Sequence, residues 1–536
     1  MAEVPKVSVL IPTYRSGPGL DRAIASLDAQ TLPQHDLEVL LLDDGSPDDT
    51  YARIAAIAAQ RPHYRAFELE ASGWPSRPRN IGVREARGEY VLFMDHDDEL
   101  YPDALRAAYD FGVAAGADVV NGKETRTNVA RWGLGTYTED LADATDRPLR
   151  GLLPMTPHKL YRRAFLVEHD VRFPEAPRHL WEDIFFHIDL LEHRATAALL
   201  SSTPFYHWRH TGENNSAADG EADYRGGDDY WPYLDKLLAK ISALTDPAIR
   251  TELLAHTTHA RLLPQIGHRD TGRTDDEVAA DRAEIERLLA AYVPVEVDPH
   301  LPPRARAAIT LLRDGHADAA AEFLRDGAQR RPEYTVTAVE DAGDGSLTVT
   351  GTVAWTPAPQ PFARRTADGA VVRGLPEPIA SLLAERGLSP SADVDDVQVD
   401  LMIRHAPTRV AWLLPTTSAV ALVEQPDGTL EPAGTFRARF DPATAAMGHA
   451  LPRGGHQLLG RCELDGRTGV KRAFSELPEG TRIGPVVLGY SGQGGLALRL
   501  PAEQAPEAAA EVSESGWVRR LLPRRGGRAG SGRSRS

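Results

Sequence analysis

The sequence predicts a multidomain protein that begins with an α/β domain on a mostly parallel sheet, continues through an α-helical linker and ends in antiparallel β-sandwich structure. Three patterns along its 536 residues predict this order. Short apolar strands alternate with helical segments over residues 1–217, helical periodicity runs over 218–332, and alternating strands separated by turns run over 333–503. The remaining segment, 504–536, is basic and rich in Gly and Ser, which is typical of a disordered tail.

Four strands are predicted in the first domain, each a continuous apolar run rather than an alternating one. They are the segments VSVLIPTY, LEVLLLDDGS, YRAFELE and EYVLFMD, and helical spacing follows the first two. Continuous runs separated by helices indicate a parallel sheet that is covered on both faces. Ligands bind such sheets beyond the carboxyl ends of the strands, so we expect site loops at residues 12–15, 43–46 and 95–99.

The second and third regions differ in the period of their apolar residues. Segments such as YWPYLDKLLAKISALT and DDEVAADRAEIERLLAAY have helical spacing. From Glu333 onward, YTVTAVEDAGDGSLTVTGTVAW indicates two alternating strands joined by a Gly-Asp-Gly turn, which is a strong hairpin signal. Further short strands follow to about Leu500, so we expect one or two sandwich modules here.

Composition excludes several classes of protein. A net charge of −17 argues against nucleic-acid binding, and the single cysteine, Cys462, excludes a disulfide framework and a cysteine zinc cluster. No apolar run is long enough for a transmembrane helix and the first residues lack a basic leader, so we expect a cytoplasmic protein. Seven arginines and Trp517 after Glu514 are compatible with peripheral contact with an anionic membrane and equally with a solvated tail.

The stretch EYVLFMDHDDELYPDAL runs from a buried strand into a cluster of acids. One interpretation is a helix start, where acids are favoured; it accounts for Asp98, Glu99 and Asp103. It leaves Asp95 and Asp97 crowded together, and an Asp-X-Asp pair is suited to hold one Mn²⁺ or Mg²⁺ beside phosphate oxygens. An EF-hand calcium loop is excluded, because the turn glycine and the final glutamate that it needs are absent.

Several motifs read together identify a family. In order, spacing and strand context, SVLIPTYRS, LLLDDGS, RPRNIGVREARGEYVLFMDHDD and WEDIFFHIDLL resemble the family-2 glycosyltransferases over roughly the first 210 residues. The resemblance implies a GT-A (Rossmann-like) catalytic domain and a nucleotide-sugar donor, expected to be UDP-linked. It also implies donor-site roles: Pro12, Tyr14 and Asp44 in the base pocket, Arg79 at the diphosphate, Asp95 over the ribose, and Asp97 on a Mn²⁺ or Mg²⁺ ion.

The same resemblance assigns the acceptor side and a closing loop. In RHLWEDIFFHIDLL it makes Asp183 the general base that takes the acceptor's proton, with Glu182 beside it, and direct displacement then inverts the anomeric carbon. An amphipathic helix with acids in its first turn is the alternative. In FYHWRHTGENNS it implies a loop over the donor phosphates, with Arg209 and His207 as contacts and a weaker case for His210; a satisfied polar loop is the alternative.

Within the family, SGWPSRPRNIGVREARGEYVLFMDHDDEL and PHKLYRRAFLVEHDVRFPEA are most similar to enzymes that attach sugars to the polyol-phosphate chains of wall teichoic acid. The resemblance implies an anionic cell-envelope glycopolymer as acceptor and a trimer formed through C-terminal immunoglobulin-like domains. The alternatives are a lipid-linked or protein acceptor and a non-catalytic glycopolymer-binding scaffold. Expected cationic acceptor contacts are Lys159, Arg162, Arg163, Arg178 and His179. A solvated helix face is the other interpretation of KLYRR.

Overall fold

The computed structural model describes residues 4–127, 135–176, 179–209, 230–267, 274–356, 358–464 and 467–501. Within them the chain forms a mixed α/β domain, a group of helices and a strand-rich region, in the order that the sequence predicts. None of the helices in these ranges combines the length and the apolar character that crossing a membrane requires. The predicted basic tail, Arg178 and His210 lie outside the described residues.

An eight-stranded mixed sheet forms the centre of the first domain. Its strands are β1 (Val7–Thr13), β2 (Leu37–Asp43), β3 (Tyr64–Glu68), β4 (Tyr90–Phe93), β5 (Glu99–Leu100), β6 (Val119–Arg126), β7 (Leu160–Arg162) and β8 (Ala197–Trp208). The order across the sheet is β3-β2-β1-β4-β7-β6-β8-β5. Strands β3, β2, β1 and β4 run parallel, as do β6 and β8, whereas β7 and β5 pair antiparallel with their neighbours. The carboxyl ends of β1, β2 and β4 therefore meet at one edge.

Both faces of this sheet are covered, which explains the continuous apolar runs. In β1, Val9 and Ile11 pack into one hydrophobic cluster and Leu10 into another, because successive side chains of a strand point to opposite faces. Three helices contribute to the first cluster: α1 (Gly19–Asp28), α2 (Thr50–Ala59) and α4 (Ala104–Ala115). Three others contribute to the second: α3 (Ser76–Glu85), α5 (Arg163–Glu168) and α6 (Glu182–Glu192).

The acidic stretch after β4 is arranged differently from the helix-start interpretation. Glu99 lies in β5, and Asp98 is fully buried in the turn before it. Asp103 does precede α4 directly, although its side chain makes no capping hydrogen bond. The assignment of Asp98 and Glu99 to a helix start is therefore wrong, because Glu99 and Leu100 pair with β8 instead.

The helical region packs against the first domain. Its helices are α7 (Tyr230–Ser242), α8 (Pro247–Thr257), α9 (Asp275–Tyr292), α10 (Pro303–Arg313) and α11 (Ala317–Gln329). Their buried residues, such as Leu237 and Leu288, belong to the same hydrophobic cluster as Phe186 of α6. A π-helical turn (Thr258–Leu262) continues α8 directly, and this continuity brings the linker to the edge of the first domain.

Thirteen strands of the described chain, connected in one sheet around a main hydrophobic core, make up the strand-rich region. Pairing is antiparallel except between β9 and β18, which run parallel where Tyr334 meets Ala473. The core includes Tyr334, Phe436 and Leu458, and the buried Cys462 packs there as a small apolar residue. A short helix, α12 (Ile379–Glu385), packs on the linker cluster. The strands are β9 (Pro332–Asp341), β10 (Leu347–Trp355), β11 (Ala363–Arg365), β12 (Val371–Arg373), β13 (Val399–His405), β14 (Ala411–Leu414), β15 (Thr416–Glu424), β16 (Thr429–Phe440), β17 (Gly454–Leu464), β18 (Arg467–Phe474), β19 (Arg482–Ile483), β20 (Val486–Tyr490) and β21 (Leu496–Leu500).

The strand-rich region touches the first domain just beyond β5. The Tyr101 hydroxyl donates a hydrogen bond to the backbone oxygen of Thr408 and lies 2.7 Å from Thr125 Oγ1. The ammonium group of Lys123 lies 5.6 Å from the centre of the Trp412 ring, within cation–π range. The turn between β13 and β14 is thus held against the first domain.

Candidate active site

A cleft of about 1180 Å³ opens at the edge where β1, β2 and β4 end. The loops at residues 12–15 and 95–97, the start of α6 and the linker turn that carries Arg261 all line it. Eight residues predicted from the sequence meet in this cleft: Pro12, Tyr14, Asp44, Arg79, Asp95, Asp97, Glu182 and Asp183. The cleft thus lies where the rule that ligands bind parallel sheets at the carboxyl ends of strands predicts a site, and the roles of these residues stay a prediction.

The predicted base pocket combines a buried carboxylate with an exposed ring. Asp44 accepts hydrogen bonds from Ser72 N and Oγ at 2.9 and 2.8 Å and from Gly73 N at 3.0 Å. An ionised carboxylate has about four acceptor positions, so one remains for a ligand donor. Tyr14 is 40% exposed, with the Arg15 guanidinium 5.5 Å from its ring centre. An accessible ring beside such a carboxylate is suited to stack on a nucleotide base.

Arg79 joins the two halves of the cleft. It lies in α3, is 3% exposed, and donates through Nη2 to Asp95 Oδ1 at 2.9 Å and through Nη1 to Glu182 Oε1 at 3.0 Å. Burial alone would lower the pKa of Arg79, but the two carboxylates outweigh it and raise that pKa. One permanently charged guanidinium thus orients an acid that follows β4 and an acid that begins α6.

Asp95 has a second cationic neighbour, which the sequence did not predict. His158 Nε2 lies 3.3 Å from Asp95 Oδ2, and His158 Nδ1 lies 3.5 Å from Glu124 Oε2. Burial would lower the pKa of His158, but the two acids raise it to about 9. Burial would raise the pKa of Asp95, but Arg79 and His158 outweigh it, so Asp95 is ionised at neutral pH. The segment PHKLYRR contains His158, but the spacing of its residues does not predict the contact with Asp95.

Three carboxylates, those of Asp95, Asp97 and Asp98, lie within four residues of one another directly beyond β4. One oxygen or nitrogen each of Asp95, Asp98 and His158 lie within 4.8 Å of one another. Burial, with added repulsion from Asp95, raises the pKa of Asp97 and also that of Asp98. Asp98 is committed within the fold, because it accepts from the Tyr206 hydroxyl and from Arg209 N, both at 2.7 Å.

These donors fit a hard divalent cation. Carboxylate oxygens on the cleft wall are the ligands that Mn²⁺ and Mg²⁺ prefer, and a cation between them would offset the burial and the lesser repulsion from Asp95 that raise the pKa of Asp97. Asp97 is not part of the Asp95, Asp98 and His158 group but lines the cleft beside it. Its role as the metal ligand stays a prediction. Asp95 and Asp97 are the residues that would hold the ion.

Glu182 and Asp183 begin α6, directly after Trp181, which has a left-handed backbone (φ 61°). Burial, and then the neighbouring Asp183, raise the pKa of Glu182 to about 7. Burial also raises the pKa of Asp183, opposed by Arg261. Asp183 Oδ1 accepts from Ile184 N at 2.9 Å, and over the described chain its other oxygen has no hydrogen bond. Each acid thus keeps one oxygen without a hydrogen bond in the described chain, but Glu182 is held by its ion pair with Arg79 and Asp183 is not.

The linker supplies a cation that the sequence analysis missed. Arg261, on the π-helical turn, lines the cleft with its guanidinium 4.6 Å from the centre of the Trp181 ring. Its charge is close enough to favour the ionised form of Asp183. His256, one turn earlier, also lines the cleft, and burial, followed by Arg261, lowers its pKa to about 4. The segment HTTHAR, a run of polar and basic residues where α8 passes into the π-helical turn, was the available signal.

The residues predicted to close over the donor phosphates do not line the cleft. His207 lies inside β8, buried, with Nε2 2.9 Å from Thr127 Oγ1, and burial followed by Arg209 lowers its pKa to about 4. Arg209 Nη1 lies 3.1 Å from Glu99 Oε1. The prediction of a loop is wrong for His207, because β8 extends through it to pair with β6. Phosphate contacts by these two residues remain a prediction that the described geometry does not support.

The predicted acceptor cations are also arranged differently. Lys159 is 1% exposed and donates to Pro154 O at 2.5 Å and Thr156 O at 2.9 Å, and burial lowers its pKa to about 7. Arg162 pairs with Asp118, and Arg163 donates to Val83 O at 2.9 Å. KLYRR is thus a strand and the start of a helix rather than a solvated helix face. His179 is buried, with Nδ1 3.1 Å from Leu180 O.

Comparison with known proteins identifies two domains in the chain. Residues 8–163 match the Glycosyl transferase family 2 profile, and residues 227–324 match the Glycosyl transferase TarS linker domain. The poly(ribitol-phosphate) beta-N-acetylglucosaminyltransferase TarS of Staphylococcus aureus is 28% identical over 252 residues, which cover 47% of this chain and 43% of that protein. A poly(ribitol-phosphate) beta-glucosyltransferase of Bacillus spizizenii is 24% identical over 331 residues, covering 60% and 50%. The chain spans about half the length of these relatives.

Solved structures extend the likeness to the whole architecture. The crystal structure of S. aureus TarS superposes with a TM-score of 0.51 at 16% identity, covering 93% of this chain and 86% of that one. TarS 1-349 in complex with UDP-GlcNAc superposes with a TM-score of 0.51 at 24% identity, covering 64% and 96%. At these identities the likeness shows the fold alone. The profile matches confirm the motif resemblance and the solved structures the fold: a Glycosyl transferase family 2 domain at 8–163 and a TarS linker domain at 227–324, followed by a strand-rich region.

Proposed function

We propose that the protein transfers a sugar from a nucleotide-sugar, UDP-linked, to a hydroxyl of an anionic polyol-phosphate polymer of the cell envelope, with inversion at the anomeric carbon. The observation that carries this proposal is one cleft that is lined both by Asp183, with an oxygen free of hydrogen bonds in the described chain, and by the acids that follow β4. The named activities of the relatives support it, since both act on poly(ribitol-phosphate). The UDP-GlcNAc complex of TarS supports the class of donor.

The donor side of the cleft would bind the nucleotide and its diphosphate. Tyr14 offers a ring for the base and Asp44 an acceptor for a base N–H. Asp95 and Asp97 would hold Mn²⁺ or Mg²⁺, which supplies positive charge to the leaving diphosphate. Arg79 keeps Asp95 ionised and fixed in orientation through the 2.9 Å hydrogen bond.

Asp183 is the proposed general base. It accepts the proton of the acceptor hydroxyl while that oxygen forms a bond to the anomeric carbon and the bond from this carbon to the diphosphate oxygen breaks. The proton ends on Asp183 and the negative charge on the departing UDP. Because one displacement occurs, an α-linked donor gives a β-linked product. A pKa raised by burial strengthens Asp183 as a base relative to an exposed aspartate.

Arg261 supports an anionic acceptor. A hydroxyl that reaches Asp183 belongs to a chain with phosphate groups on either side, and Arg261 lines the cleft beside Asp183. Arginine recognises phosphate through two parallel N–H donors. We assign Arg261 to a phosphate next to the reacting hydroxyl, in place of the predicted KLYRR cations.

The test is transfer from a panel of UDP-sugars to a synthetic ribitol-phosphate oligomer in the presence of Mn²⁺. Asp183→Asn should lower kcat about 10²- to 10⁴-fold, the usual range for a general base, with the donor KM nearly unchanged. Asp170→Asn, an exposed aspartate with its side chain 70% exposed, is the matched control and should retain full activity. Wild-type turnover in Asp183→Asn would refute the assignment. Transfer to a lipid-linked or protein acceptor, but never to the oligomer, would favour the alternative acceptor class.

Trimer formation, membrane contact and location are further proposals. Sedimentation of the full chain tests the trimer, with a monomer as the refuting result. Flotation with anionic vesicles, with and without residues 504–536, tests whether that segment carries the chain to a membrane surface. Equal flotation of both forms would refute this role for the segment.

A further inference from the structure

Three arginines of the strand-rich region, Arg404, Arg409 and Arg472, lie close together in what we call the arginine triad. Burial lowers the pKa of Arg404 to about 10, and repulsion from Arg409 and Arg472 adds to this shift. Burial followed by Arg472 also lowers the pKa of Arg409. Each guanidinium is therefore within electrostatic reach of the others.

The sheet register explains why these side chains converge. Arg404 on β13 is paired with Gln457 of β17, and Arg472 on β18 is paired with Leu459 of β17. Gln457 and Leu459 are two residues apart, so both arginines project from the same face of the sheet. Only β17 separates their strands, a span of about 10 Å across the sheet that two arginine side chains can bridge. Arg409 approaches from the turn that follows β13.

Among the residues that the structure describes, the triad has no counter-charge. Arg404 is 6% exposed, and the Nε atoms of all three arginines are buried without a hydrogen-bond partner. Arg404 Nη2 donates to the neutral Gln457 Oε1 at 2.6 Å. Across the described ranges, no carboxylate lies within ion-pair distance of the three guanidinium groups, and Asp400 on the same sheet is paired with Arg461 at 3.1 Å. Grouped, partly desolvated cations without an anion are unfavourable.

The turn that supplies Arg409 is held in place. Arg409 has a left-handed backbone (φ 64°), which a side chain larger than glycine adopts at a cost in free energy. The preceding residue, Thr408, accepts the hydrogen bond from Tyr101 of the first domain. The triad therefore adjoins the catalytic domain, yet none of its members lines the cleft.

We propose that the arginine triad binds a phosphodiester group of the polymer acceptor at a second site outside the cleft. This inference rests on the proposed function, because it takes a chain with repeated phosphates as the ligand. Three guanidinium groups can give several charge-assisted hydrogen bonds to the two free oxygens of a phosphodiester. A polymer whose reacting unit occupies the cleft has other phosphates free to reach the strand-rich region. The site would thus favour long acceptors over short ones.

The test measures binding without turnover. A fluorescent ribitol-phosphate oligomer of about twelve units is titrated with the full chain, without donor, and followed by anisotropy. The double variant Arg409→Gln/Arg472→Gln leaves the most buried member, Arg404, in place. It should bind at least about tenfold more weakly than the wild type, the loss expected for removing charged hydrogen-bond donors. Arg437→Gln/Arg482→Gln, which changes two exposed arginines of the same region, is the control and should bind within about twofold of the wild type.

The remaining outcomes separate the inference from the proposed function. Equal weakening in both double variants, or none in either, would overturn the triad as a phosphate site. The triad would also be overturned as a phosphate site if the wild type did not bind the oligomer. The same holds if the triad double variant lost binding to anionic vesicles but kept binding to the oligomer. If the oligomer binds through the triad but receives no sugar from any donor, the inference stands and the proposed function fails.

Discussion

Replacing Glu182 with glutamine should remove a pH-dependent loss of stability. Burial, and then Asp183, raise the pKa of Glu182 from 4.5 to about 7 in the folded chain, despite its ion pair with Arg79. The folded state therefore holds this proton more tightly than the unfolded state does. The stability that the proton contributes is complete below about pH 4.5 and is lost as the pH rises to about 7.

The size of the effect follows from the two pKa values. The difference between 4.5 and about 7 corresponds to about 3 kcal/mol, since one pKa unit is worth about 1.36 kcal/mol. Glutamine has the shape of glutamate, keeps an oxygen that accepts from Arg79, and does not titrate. The free energy of unfolding of Glu182→Gln, relative to the wild type, should therefore increase by about 3 kcal/mol between pH 4.5 and pH 8.

The measurement is urea unfolding of both proteins at several pH values across this window, with the first-domain transition compared at each. Glu192→Gln, at the other end of α6 where glutamate hydrogen-bonds to Thr245, is the matched control. Its difference from the wild type should not vary with pH in the same way. A difference for Glu182→Gln that is flat across the window, or that falls as the pH rises, would refute the buried-acid reasoning.

Two further predictions concern the acceptor side and the core. Arg261→Gln should raise the KM for a ribitol-phosphate oligomer about tenfold, the loss of a charged contact, and leave the donor KM unchanged in steady-state kinetics. A rise in the donor KM alone would contradict this role. Gly122→Ala should destabilise the first domain by about 1–3 kcal/mol in urea unfolding, because its Cβ would lie 2.4 Å from Phe205 Cγ. Gly489→Ala, which meets nothing within 4 Å, is its control, and equal stability of the two would contradict the packing argument.

Most of the first domain could be predicted from the sequence because each of its strands and helices has a recognisable pattern within a short segment. The apolar runs of β1, β2 and β4 and the helices between them predict a buried parallel sheet. Because ligands bind beyond the carboxyl ends of parallel strands, this sheet also predicts where the cleft lies. The motif resemblance then predicts roles for the acids within it. Asp98 was misassigned because its partners, Tyr206 and Arg209, lie more than a hundred residues away. No local pattern distinguishes an acid that starts a helix from one that is buried by a distant strand.

Other parts of the site depend on long-range packing. The sequence predicts Lys159 to be a surface cation like Arg162 and Arg163. In the structure, however, Pro154 O and Thr156 O accept hydrogen bonds from its buried ammonium group. Arg261 reaches the cleft only because the linker packs on α6, which helical periodicity cannot reveal. The arginine triad likewise depends on the register of β13, β17 and β18, strands that are far apart in sequence.

The most direct test of the central claim is the configuration of the product. Wild-type protein is incubated with an α-linked UDP-sugar, Mn²⁺ and a ribitol-phosphate oligomer, and the anomeric proton of the transferred sugar is followed by NMR from the first turnovers. A single displacement assisted by Asp183 predicts a β-linked sugar as the initial product. An α-linked initial product would require a covalent intermediate or a different attacking face, and it would contradict the account.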